Sequence, residues 1–155
     1  MSKVSCVACG RIHERNYICD AKKKAKLDKV AKNRDREDSK IYISNRWRRL
    51  RINILEDYNY ICLFSYYVFS KIIQANELHH IVWLIDNIDL AFDADNIIPL
   101  EHNVHRSIIH NYSNKSNEIK NDIQNMLRDM ISDWSNDRRD LGSYKERWEN
   151  ITKDC

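Results

Sequence analysis

Chain breakers are scarce: two glycines, Gly10 and Gly142, and one proline, Pro99, punctuate 155 residues. A many-turned β architecture needs such residues at short, regular intervals, so their scarcity excludes it and favours helices. Long apolar runs are missing as well. The apolar stretches are short and broken by polar residues, which excludes a membrane-spanning helix, since that needs about 20 consecutive, largely apolar residues. The N-terminus, MSKVSCVACGRIH, has no apolar stretch of signal-peptide length, so the protein is expected to stay in a reducing cytoplasm. The length suits one compact domain with appendages rather than two large domains.

Cysteine is present but unevenly placed. Cys6, Cys9 and Cys19 crowd into the first twenty residues, while Cys62 and Cys155 stand alone. Clustering in a reducing compartment favours metal over disulfides. The Cys6-x2-Cys9-Gly10 spacing is that of a knuckle in which glycine lets backbone amides approach thiolate sulfur, and His13 and Cys19 complete four candidate ligands for a structural zinc. Charge is uneven too: residues 1–51 hold 16 Lys+Arg against 6 Asp+Glu, leaving 10 against 17 in the remainder. The basic half points to a polyanionic partner. The lysines between 22 and 40 fit a solvated linker equally well. Arg46, Arg48, Arg49 and Arg51, around Trp47 on a structured element, are the better candidates for phosphate contacts.

Four segments follow from these patterns. Residues 1–20 read as a small Cys-bearing zinc knuckle and 21–40 as a charged linker or helix. Residues 41–113 read as the main core and 114–155 as a C-terminal helical region. In IYISNRWRRLRINILEDYNYIC, Trp47, Leu50 and Ile54 recur at helical spacing with arginines to the sides. ELHHIVWL (77–84) and NIIPL (96–100) are short and apolar, separated by the turn-rich DNIDLAFDADN, and predict a β-hairpin with a long loop. The segment Glu101 to Tyr112 predicts a helix. Another follows, with Ile119, Ile123, Met126, Leu127, Met130, Ile131 and Trp134 on one stripe. The fold class is therefore α+β, predominantly helical.

Strand, loop, strand, helix is also where the histidines fall: His79 and His80 on the first strand, Asn96 opening the second, His105 early in the helix. A lone histidine on an apolar strand is usually a core or surface residue; the conjunction is what points to a site. From about Ser44 to His110, RWRRLR, YIC, ELHHIV and AFDADNIIPLEHNVH resemble the HNH endonucleases, particularly the small ones of bacteria and their phages. The resemblance covers somewhat under half of the chain.

The resemblance implies a ββα-metal core flanked by helices, holding one divalent cation (Mg, Mn, Ni or Zn). His79 would be a ligand from the strand and His105 a ligand from the helix. His80 would be the general base that activates water, and Asn96 would tie the loop so that the base is aimed. Arg106 would contact phosphate. His110 sits where relatives often keep another histidine, but one residue further from His105 than the usual i, i+4 pair, so it stands as an alternative ligand. His102 would belong to the outer shell. The chemistry suits the residue types, because neutral imidazole is both a ligand for a borderline cation and a base near operating pH. Consecutive strand residues face opposite sides, so one shared site for His79 and His80 requires the strand to twist or end there.

The implied activity is hydrolysis of DNA phosphodiester bonds in a bacterial host cell. Phage DNA-packaging proteins are possible partners, no membrane is implied, and nothing sets the oligomeric state. A non-catalytic zinc-containing DNA-binding module is the rival reading. Many relatives frame this core with two CxxC pairs that bind zinc. Here Cys62 matches the first cysteine, but Ser65, Glu101 and Val104 replace the others. Cys62 is therefore expected as a small buried apolar residue, with Trp47, Phe64, Trp83 and Leu100 supplying packing instead.

Overall fold

The chain divides between Ile43 and Ser44 into two compact units. The computed structural model describes residues 2–34 and 37–153; residues 35 and 36, inside the stretch expected as a charged linker or helix, lie outside the described residues, as do 1, 154 and 155. Helices predominate beside two small antiparallel sheets, which is an α+β, mostly helical fold. No helix among the described residues is long and apolar enough to cross a membrane.

The first unit opens with a hairpin of β1 (Lys3–Ser5) and β2 (Ile12–Glu14), paired Lys3 to Glu14 and Ser5 to Ile12. Its turn closes through Cys6 N–H to the Arg11 carbonyl (2.8 Å) and Gly10 N–H to the Cys6 carbonyl (2.8 Å). Gly10 adopts φ +71° there, a left-handed conformation that glycine takes without steric cost. Helices α1 (Asp20–Arg34) and α2 (Glu37–Ile43) follow, so the charged stretch is helical over its described part.

The second unit opens with α3 (Asn45–Asp57), capped by Ser44, whose Oγ accepts from Trp47 N–H at 3.1 Å. Of the expected apolar stripe Trp47 and Ile54 are buried and Leu50 is half-buried, while Leu55 beside Ile54 is buried as well. Asn59 (φ 51°) and Tyr60 (φ 56°) then reverse the chain into the short, almost wholly buried helix α4 (Leu63–Phe69). Cys62 is fully buried and accepts a hydrogen bond from Ser65 Oγ at 3.2 Å.

The hairpin is shorter than the apolar run 77–84. β3 (Glu77–His80) pairs antiparallel with β4 (Ile97–Leu100), His79 opposite Ile98 and His80 opposite Ile97. Beyond His80 the loop holds two 3-10 turns, Ile88–Phe92 and Ala94–Asn96. Asn87 and Asp93 cap these turns by accepting from the N–H two residues on. These local Asx bonds compete with strand pairing, which is why the long loop does not extend the ladder.

Residues 102–113 form one helix whose middle, Val104–His110, is π-wound and whose last turn is α5 (Asn111–Ser113). Helix α6 (Asn117–Ser135) buries Ile123, Met126, Leu127, Met130 and Ile131 along the expected stripe. Each such side chain contributes about 1.5–3 kcal/mol when removed from water. Helix α7 (Gly142–Thr152) closes on α4 through Phe64 and Trp148, whose rings meet edge to face at 5.0 Å. The C-terminal helices belong to the same compact unit as the hairpin.

Candidate metal centres

The hairpin and the π-wound helix converge on three imidazoles. His79 projects from β3, and His105 and His110 from the helix; one nitrogen from each lies within 4.8 Å of the others. The Nε2 atoms of His105 and His110 are 3.0 Å apart. Two imidazole nitrogens each about 2.0–2.1 Å from one cation stand about 3–3.4 Å apart, so the donor set fits a divalent metal. His110, with its extra residue of spacing, is brought into the group by the π winding.

Protonation favours the same use. Burial drives His79 well below the ordinary histidine range, and the neighbouring His105, His110 and His80 push the same way. Burial also lowers His110, with help from His105 and Arg106 and against Glu77. Both rings are therefore neutral near pH 7, the state in which an imidazole nitrogen can donate to a metal.

Glu77 is the residue that sequence reasoning missed. Its Oε1 accepts from His102 Nδ1 at 2.6 Å, and its Oε2 accepts from His105 Nδ1. Burial would raise this carboxyl, but the hydrogen bonds from His102 and His105 outweigh it and hold Glu77 below the usual value. Because Nδ1 of His105 carries the donated proton, its Nε2 is left as the donor atom facing His110. Carboxylate partners of this kind orient metal-binding histidines. The signal was available: Glu77 lies two residues before His79, hence on the same face of the strand.

His80 goes elsewhere. It occupies the last position of the strand in regular register, and its side chain stacks on Trp47 (ring centroids 5.0 Å, 25° between planes). Its Nε2 lies 3.0 Å from the Ala91 carbonyl; a carbonyl only accepts, so the proton sits on Nε2 and Nδ1 is the basic nitrogen. Burial lowers His80 and the Ala91 bond partly offsets that. The two adjacent histidines thus meet different partners, and the strand ends at His80.

Asn96 ties the loop to the strand end. Its Oδ1 accepts from Val82 N–H at 2.8 Å, its Nδ2 donates to the Val82 carbonyl at 3.1 Å and to the Leu90 carbonyl at 3.5 Å, and its own carbonyl accepts from Ile81 N–H at 2.8 Å. Gln124 adds a bond from α6 to the Ile81 carbonyl at 2.7 Å.

The arginines divide. Arg46 lies over the Phe92 ring at 4.0 Å, and Arg51 donates to the Asn76 carbonyl at 2.7 Å, so both brace the hairpin. Arg46 is exposed all the same, as are Arg48, Arg49 and Arg106.

In the first unit Cys6, Cys9, His13 and Cys19 bring four ligand atoms within 4.8 Å of one another. Cys6 and Cys19 sulfurs are 3.7 Å apart, close to the tetrahedral edge of about 3.8 Å that Zn–S bonds of about 2.3 Å produce. Cys9 Sγ and His13 Nε2 are 2.9 Å apart. Burial pushes the Cys6 thiol up, hydrogen bonds from Cys9 and Ala8 pull it down further, and it settles at about 7. Among the described residues of this unit whose side chains are placed, Cys6 and Cys19 are the only buried ones.

No protein-family model, curated protein or solved structure matches this chain.

Proposed function

We propose that the second unit is a metal-dependent endonuclease of the HNH type that hydrolyses DNA phosphodiester bonds. The observation that carries this reading is the His79–His105–His110 group at the junction of a β-hairpin and the helix that follows it. A divalent cation held by those three imidazoles would stabilise charge on the scissile phosphate and the leaving oxygen. His80 is the general base in this reading: the Ala91 carbonyl holds its proton on Nε2, so Nδ1 is the nitrogen that takes the proton from water. Asn96 fixes the loop that carries Ala91, and so aims His80. Arg48, Arg49 and Arg106 are exposed and available to phosphate.

We further assign zinc to the Cys6–Cys9–His13–Cys19 cluster, because three thiolates and one imidazole in a tetrahedral spacing are the donor set of a structural zinc. Metal analysis of the purified chain is expected to find about one tightly held zinc that disappears in Cys6→Ser/Cys9→Ser; zinc unchanged in that variant removes the assignment.

A second reading has its own observation. His80 is only 4% exposed and stacks against Trp47, as a packed core histidine would, and a non-catalytic DNA-binding module would need nothing more of it. Incubation with supercoiled plasmid and Mg²⁺, Mn²⁺ or Ni²⁺ separates the two. The nuclease reading expects relaxed or linear product that is lost in His80→Ala, with metal still bound. No product with any of these cations supports the binding module.

A further inference from the structure

The division of the chain at Ile43 also divides its charge. Residues 1–43 hold 12 Lys+Arg against 6 Asp+Glu, and residues 44–155 hold 14 against 17. The unit with the three-histidine group is therefore net acidic (−3), while the small cysteine-bearing unit carries +6. A DNA-cleaving unit of net negative charge gains no general attraction for a polyanion from its own sum of charges.

Helix α1 shows how the basic charge is displayed. Lys22, Lys26 and Lys29 are spaced i, i+4 and i+7 and are exposed. At about 100° per residue they fall within about 60° of one another, along about 10 Å of helix. Like charges at these spacings each cost an isolated helix about 0.2–0.5 kcal/mol. Burial does not compensate, since Leu27 and Val30 are exposed too. A helix of 15 residues with such a surface is marginal alone, and a row of phosphates lying along the stripe would convert its repulsion into attraction.

The start of this helix is tied to the cysteine cluster. Cys19, a cluster member, precedes α1 directly, and its carbonyl accepts the N–H of Lys23 at 3.0 Å in the first turn. A metal that fixes Cys19 therefore fixes the turn on which the stripe begins, and nucleation is the costly step of helix formation.

We propose that the N-terminal unit is a metal-ordered clamp for the phosphate backbone of duplex DNA, with Lys22, Lys26 and Lys29 as its contact stripe. The choice of DNA rests on the nuclease reading; the stripe and its link to the cysteine cluster do not. An anionic membrane surface is the less suitable polyanion, because an interfacial helix buries a broad apolar face, and α1 offers only Leu27 and Val30 as large apolar side chains.

The test uses the full chain carrying His80→Ala, with a short labelled duplex, across a salt series and without added divalent cation. Each phosphate neutralised contributes about 0.9 to the slope of log affinity against log salt. Replacing Lys22, Lys26 and Lys29 together by Gln is expected to lower affinity at least about ten-fold and make that slope shallower by about 2.7. The same three positions changed to Arg should keep the slope. Cys6→Ser/Cys9→Ser should weaken binding as the Gln variant does.

Unchanged affinity and slope in the Gln variant, with its zinc content and helicity intact, overturns the proposal. So does an Arg variant as weak as the Gln variant, or binding to anionic vesicles with none to duplex. Affinity that survives loss of zinc overturns the metal-ordered part. Stripe-dependent binding by a chain that never cuts plasmid supports this proposal and sinks the nuclease reading instead, so the two fail separately.

Discussion

His105 and His110 are five residues apart, yet their Nε2 atoms lie 3.0 Å from each other. In an α-helix a five-residue step turns about 500°, which leaves the two side chains about 140° apart. The segment Val104–His110 is π-wound instead, and an i→i+5 repeat stacks residues at that separation. Val104 and Ile109, also five apart, are both buried by the same device. A single inserted residue is the simplest description of such a bulge, and bulges of this kind concentrate at functional sites.

Deletion of Ser107, which is exposed in the middle of the bulge, therefore tests whether the bulge or only the resulting face matters. The deletion makes the two histidines an i, i+4 pair in an α-helix and keeps Val104 and Ile109 on one face. Metal binding at the three-histidine group, followed by Co²⁺ or Ni²⁺ titration, is expected to persist within about ten-fold, with helicity equal or higher. Loss of metal binding in a folded deletion variant would show that the face alone is not what the group requires.

Much of this site was legible before the fold was. The alternation of strand residues and the breaker-poor stretch after Pro99 suffice to place His79 on a hairpin and His105 on a helix. His110 was legible only as a ligand left open, because no local propensity signals the π turn that brings it to His105. That His79 and His80 meet different partners follows from period-2 geometry, and the strand ends at His80, one of the two conditions that a shared site set. The end of the ladder at His80 was hidden too, since VWL beyond it is as apolar as a strand, and what stops the pairing is the Asn96 side chain on both backbone groups of Val82 together with the Asn87 and Asp93 caps of the loop.

Glu77 receives hydrogen bonds from both His102 and His105, and its removal should be felt as metal affinity rather than as folding. Glu77→Gln keeps the size but loses the charge that favours Nδ1–H of His105. We expect affinity for Co²⁺ or Ni²⁺ to fall about 10–100-fold with little change in thermal stability of the metal-free protein. His102→Ala, which removes only the exposed partner, should cost much less. Equal losses in the two variants would assign the effect to the whole cluster rather than to the orientation of His105.

The metal-free protein should lose stability on mild acidification. Burial drives His79 well below its ordinary value and lowers His80. In the unfolded chain both take up protons as pH falls through about 6.5, whereas in the folded chain burial holds both back, His79 the more strongly. The unfolded state then binds more protons, so stability is full above about 6.5 and declines below it, by up to about 1.4 kcal/mol per pH unit per histidine. Urea denaturation in chelator at several pH values between 5 and 8 measures this. A midpoint independent of pH across that window would mean that these rings are not held neutral by burial.

Asn96 separates a structural from a merely polar requirement. Its side chain accepts from Val82 N–H and donates to the carbonyls of Val82 and Leu90, so it must both accept and donate in one buried position. Asn96→Asp keeps the shape and the acceptor but turns an oxygen toward the two carbonyls. Asn96→Ala leaves the Val82 groups without side-chain partners. Each unsatisfied buried group costs about 1–3 kcal/mol, so both variants should be destabilised by at least that much in chemical denaturation, with Asp the worse near pH 7 because it also buries a charge. Plasmid cleavage should fall further than metal binding, since the loop held by Asn96 carries the Ala91 carbonyl that orients His80 while His79, His105 and His110 lie on the hairpin and helix. Asp tolerated as well as Asn would show that the donor bonds to Val82 and Leu90 contribute nothing, and that the loop is held by backbone contacts alone.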